Sequence, residues 1–80
     1  MVAAERSLWR AVLIQAYEDA EMMAVGEEPA AEPFECAKAR RFLRAESPVE
    51  AENLGIICEF AELPADRVYL WARHRYPLAA

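Results

Sequence analysis

Ser47-Pro48-Val49-Glu50 constrains the fold more than any other four residues of the chain. A serine at the N-cap accepts a hydrogen bond from the backbone N–H three residues on. Proline at the first helical position sacrifices no donor, and glutamate at the third can reach back to the cap. A helix is therefore predicted over 48–61, with Ala51, Leu54, Ile57, Cys58 and Ala61 on its apolar face and a break at Glu62-Leu63-Pro64. A further helix is predicted over 65–75. Asp66 suits the positive end of its dipole, Val68, Trp71 and Ala72 define its buried side, and Pro77 ends it by turning Tyr76 from helical angles.

The rest of the chain reads the same way. Only two glycines occur in 80 residues, and neither follows Asn or Asp in a hairpin-closing pair. Trp9, Val12, Leu13, Ala16, Tyr17, Ala20 and Met23 recur at helical spacing, which predicts a helix over 4–25. Its acidic residues gather toward the C-terminal end, where the helix dipole disfavours them, so that end should fray or find a cationic partner. An acidic loop follows over 26–32, with Gly26 stopping the helix and Pro29 and Pro33 bracketing the tract. A helix over 33–45 should turn Phe34, Ala37, Phe42 and Leu43 inward and Lys38, Arg40, Arg41 and Arg44 outward. The expected fold is all-α: one compact domain of about four helices with a helix-turn-helix-like C-terminal half.

That half fits a twenty-position pattern. With Leu54 as the first position, the fifth is Cys58, the eighth Ala61, the tenth Leu63, the fifteenth Val68 and the eighteenth Trp71, all suited to packing two angled helices. The ninth position commonly needs a positive φ and prefers glycine, whereas this chain has Glu62. A real motif of this kind would present Asp66, Arg67, Tyr69, Leu70 and Arg73 on its second helix, with His74 and Arg75 just beyond. Arginine can bond guanine edges or clamp phosphates, and Lys38, Arg40, Arg41 and Arg44 would add phosphate contacts.

Charge divides the functional readings. Residues 1–36 hold eight acidic and two basic side chains, and residues 37–80 six acidic and seven basic ones, within a net charge of −5. The balance argues against non-specific coating of nucleic acid, which cations drive. Two readings stand side by side. In one, the C-terminal half binds double-stranded DNA, as a homodimer to gain specificity. In the other, an acidic module built on Glu18, Asp19, Glu21, Glu27, Glu28 and Glu32 captures a basic or nucleic-acid-processing protein.

No Gly-rich phosphate loop or nucleophile–histidine pairing stands in the sequence, so neither an enzyme nor a cofactor is expected. Cys36, Cys58 and His74 lack metal-ligand spacing, and the two cysteines read as reduced, buried groups. His74 suits a solvated or capping role. Trp9, Tyr17, Phe34, Phe42 and Trp71 fall on apolar faces. Phe60 lies off that line and is expected against the first helix or as an exposed anchor. The longest uncharged run, Ala11–Tyr17, is too short for a membrane span, and the N-terminus lacks a signal-peptide layout. A soluble cytoplasmic protein is expected.

Two segments carry a resemblance: "LWRAVLIQAYEDA" (8–20), and "ARRFL" (39–43) with "ICEFAELPADRV" (57–68). They resemble small proteins encoded in alphaproteobacterial prophage and gene-transfer-agent-like regions, whose second segment looks like "VCxLAGLDPxxV". Glu62 stands here for the glycine, and Pro64-Ala65 for the Asp-Pro. The resemblance covers about half the chain and implies a mobile-element origin with a DNA-related regulatory or packaging role. It supplies no catalytic residue.

Overall fold

The structure, a computed structural model, describes residues 2–22 and 34–77. Its elements are α1 (Val2–Ala20), α2 (Phe34–Leu43), α3 (Pro48–Ala61) and α4 (Ala65–Arg75), with no strand among the described residues. The acidic loop expected over 26–32, and with it Glu27, Glu28 and Glu32, lies outside these residues, as does Met23.

α3 and α4 have the predicted ranges. Ser47 adopts extended angles, and its hydroxyl accepts the Glu50 N–H at 3.2 Å. α1 ends at Ala20 instead of continuing to residue 25, and the reason is tertiary. The Ala20 carbonyl, which a longer helix would use internally, accepts from Arg40 Nε at 2.9 Å and from Cys36 Sγ at 3.4 Å. α2 stops at Leu43 rather than residue 45 because Ala45 turns left-handed (φ 50°). There the Ala45 N–H donates to Phe42 O at 3.0 Å and the Glu46 N–H to Arg41 O at 3.2 Å, the paired bonds of a Schellman turn.

The inward face of α2 also differs from expectation. Cys36, Ala39, Arg40 and Leu43 are buried, whereas Phe34 is 70% exposed. Helical spacing through 36, 39/40 and 43 defines this face, and the arginine within it is paired with backbone rather than solvent. Two core clusters result. Leu13, Ala45, Leu54, Cys58 and Ala61 form one; Ala20, Ala39, Leu43, Ala72 and Tyr76 form the other. Phe42 and Val68 pack on both.

α1 packs on α2 and α3, and α4 packs on α2 and α3, but α1 and α4 do not meet along their backbones. They are bridged by side chains: Tyr17 and Trp71 rings 5.9 Å apart, and Arg75 on Glu21 at 2.6 Å. Trp71, expected inside, is therefore 43% exposed, and Tyr76 takes the buried aromatic position at 2%. Both cysteines are free and buried, and burial pushes the Cys58 thiol up from its ordinary value. No described helix is long and apolar enough to cross a membrane.

Candidate functional site

The turn between α3 and α4 has the conformation the twenty-position pattern requires. Glu62 adopts φ 58°, ψ 46°, the left-handed geometry that glycine usually supplies. Its N–H donates to Glu59 O at 3.2 Å, and the Leu63 N–H to Cys58 O at 2.9 Å, so α3 closes in the same turn as α2. Arg6 holds the Glu62 carboxylate at 2.9 Å. Leu54, Cys58 and Ala61 are buried as the pattern expects, and Val68 is half-buried. Leu63 and Trp71 are not enclosed. They line an apolar cleft of about 360 Å³ with Leu13, Tyr17, Leu43, Pro64, Arg67 and Val68.

Most of the cations expected on a DNA face are used inside the molecule. Each helix C-terminus leaves carbonyls without intrahelical partners and carries partial negative charge. In this fold an arginine from elsewhere closes every one. Arg40 donates to Ala20 O at the end of α1, and Arg73 Nε to Arg44 O at 3.0 Å beyond α2. Arg10 Nε donates to Ala61 O at 2.9 Å at the end of α3, and Arg44 Nη1 to Tyr76 O at 2.9 Å beyond α4.

This arrangement corrects the outward placement of several predicted contacts. Arg40 is 6% exposed and lies 4.8 Å from the centre of the Tyr76 ring. Arg44 is also bound to Glu46 at 2.8 Å, and its side chain is 12% exposed. Tyr69 is half-buried against the first core cluster, with the Arg73 guanidinium 4.4 Å above its ring. Arg75 is engaged by Glu21. Of the nine predicted contacts, Lys38, Arg41, Arg67 and Leu70 remain. The first three form no ion pair or hydrogen bond among the described residues, and Leu70 is exposed. His74 is exposed, as expected.

The cationic partner expected for the acidic end of α1 is present. Glu21 accepts two bonds from Arg75, at 2.6 and 3.2 Å, and a third from the Tyr76 hydroxyl. The Arg75 bonds, followed by the Tyr76 bond, hold the Glu21 carboxyl below its ordinary value of 4.5. Burial and the Glu21 carboxylate together push the Tyr76 phenol well above its ordinary 10.0. Sequence reading overlooked Tyr76 by treating it as the residue before a proline. Its place four residues after Ala72, itself four after Val68, was the available signal.

Carboxylates collect where α1, α2 and α3 meet. A groove of about 380 Å³ there has Val12, Ala16, Ala39, Phe42 and Ile57 among its apolar lining residues and Asp19, Glu35, Glu50 and a single cation, Lys38, among its charged ones. Gln15 Nε2 donates to Asp19 Oδ1 at 3.1 Å, one helical turn away, and orients that carboxylate. Of the acidic residues singled out in the sequence that the structure describes, Glu18, Asp19 and Glu21, only Asp19 lines this groove. Glu18 stands exposed elsewhere on α1, and Glu21 serves the α1–α4 bridge. Glu35 and Glu50 were missed because they lie on helices that read as basic and as a capping box. No family model, curated protein or solved structure matches the chain.

Proposed function

We propose that this chain is a non-enzymatic interaction module whose groove between α1, α2 and α3 receives a basic, amphipathic helical segment of a protein partner. One observation carries the reading: three of the arginines that would have faced a polyanion, Arg40, Arg44 and Arg73, close helix ends, while Asp19, Glu35 and Glu50 collect around an apolar trough. A helix laid in such a trough would place apolar side chains against Val12, Phe42 and Ile57 and its lysines or arginines against the rim.

Titration of a labelled helical peptide of alternating Leu and Lys faces tests the reading. Binding should weaken about tenfold when Asp19→Asn, Glu35→Gln and Glu50→Gln are combined, since rim pairs contribute below about 1 kcal/mol each. Lys38→Glu should tighten it, and added salt should weaken it. Binding indifferent to both the triple variant and Lys38→Glu would overturn the proposal.

The left-handed Glu62 favours a second reading, in which α4 contacts double-stranded DNA and the chain acts in regulation or packaging on a mobile element. Its cationic contacts would rest on Lys38, Arg41 and Arg67. Titration of duplex DNA at low salt distinguishes the two: binding lost in Arg67→Ala supports this reading, and no binding removes it.

A further inference from the structure

The opposite side of α1 carries a self-complementary pattern that the groove does not use. Ile14 is 58% exposed, a large apolar side chain in the C-terminal half of α1. Around it, at three, four and seven residues on either side, stand Ala11 and Tyr17, Arg10 and Glu18, and Ser7 and Glu21. Residues at these spacings share one face of an α-helix. All of them are exposed except Glu21, which is partly covered.

We propose that this face is an isologous interface with a second copy of the chain, in which the two α1 helices pair antiparallel about a dyad at Ile14. An antiparallel pairing centred on one residue sets each position against the position equally far on the other side. The pattern matches itself under that operation. Ile14 meets the second copy's Ile14. Exposed Ala11, the smallest side chain of the set, faces the aromatic ring of the second copy's Tyr17. Arg10 faces the second copy's Glu18, and by symmetry this ion pair forms twice.

Arg10 is free to do so, because it spends Nε on Ala61 O and no hydrogen bond from its terminal nitrogens occurs among the described residues. Glu18 likewise has no partner among them. Within one chain Glu18 lies near the negative end of its own helix dipole. In the pair the second copy's Arg10 lies beside it, a cation that relieves that misplacement. Beside Ile14, a hollow of about 360 Å³ lined by Arg10, Leu13, Ile14, Tyr17 and Leu63 gives the neighbouring side chains somewhere to seat. Val12 and Asp19, which line the acidic groove, lie on the other side of α1. The pair would therefore leave both grooves open, and a partner with two basic segments would gain avidity from it.

Sedimentation and light scattering across the micromolar to millimolar range test the interface. The average mass should rise with concentration from 9.1 kDa toward twice that value. Ile14→Asp should hold the protein monomeric, and Glu18→Lys, which sets a cation against each Arg10, should weaken association about tenfold. Val12→Asp should leave it unchanged, and circular dichroism confirms that each variant is folded. As an independent measure, the thiol introduced by Ile14→Cys should form a disulfide between copies under mild oxidation faster than that introduced by Val12→Cys, the native Cys36 and Cys58 being buried. A monomer at every concentration, equal effects of Ile14→Asp and Val12→Asp, or equal cross-linking rates would each overturn the proposal.

Discussion

The turns at Ala45 and Glu62 have one backbone geometry and two different supports. Both are left-handed without glycine, and both carry the paired bonds of a Schellman turn. Ala45 is buried in the first core cluster, and Arg73 binds the carbonyls of Arg44 and Ala45 above it. Glu62 is exposed. Arg10 reaches the carbonyl just before it and Arg6 holds its carboxylate. A left-handed non-glycine residue costs about 1–2 kcal/mol. Arginines from distant helices offset that cost by satisfying carbonyls the turn leaves open. A sequence can therefore lack the expected glycine and still make the turn.

Removing the arginines should affect the two turns unequally. Arg73→Ala removes two carbonyl contacts and the stacking on Tyr69, and should lower stability by about 2 kcal/mol in urea unfolding. Arg10→Ala removes one and should cost about 1 kcal/mol. Equal losses would show that the two turns are supported alike.

The end of α1 offers a third case, read by pH. Glu21 has a lowered folded value, so its contribution is present above about its ordinary 4.5 and is lost as pH falls through the folded value. Tyr76 has a raised folded value, so its contribution is complete below its ordinary 10.0 and disappears on going well above it. Thermal midpoints should show a plateau between those limits, and Glu21→Gln should flatten the acid slope.

Glu62→Gly should then stabilise by about 0.5 kcal/mol, because relief of the left-handed conformation exceeds the loss of one exposed ion pair. Ala45→Gly should gain nothing, since it also removes a buried methyl. The smallest effect should be Arg6→Ala, about 0.3 kcal/mol, abolished by salt.

α3 and α4 were legible in the sequence because their boundaries are set locally, by Ser47-Pro48 at one end and Pro77 at the other. The ends of α1 and α2 were not, because they depend on which distant side chain reaches a carbonyl. Periodicity placed Leu13, Leu54 and Cys58 correctly. It put Phe34 inside and Arg40 outside because a hydrophobicity pattern assigns every guanidinium to solvent, whereas Arg40 binds a carbonyl and an aromatic face. The groove was hidden for a related reason. Asp19, Glu35 and Glu50 belong to three different helices, and only the packing brings them together.

The four closures at helix ends also set the order in which the molecule can assemble. They span 20, 51, 29 and 32 residues of chain, so none can form within an isolated helix. Each helix alone should lose its last turn, and each gains it only when a different helix has docked. Arg10 joins α1 to α3, Arg40 joins α2 to α1, and Arg44 and Arg73 join the end of α2 to α4 in both directions. Opening α1, α2 or α4 releases the end of another helix, whereas α3 lends no arginine to any, so amide protons at the C-terminal turns of α1, α2 and α4 should exchange with solvent together.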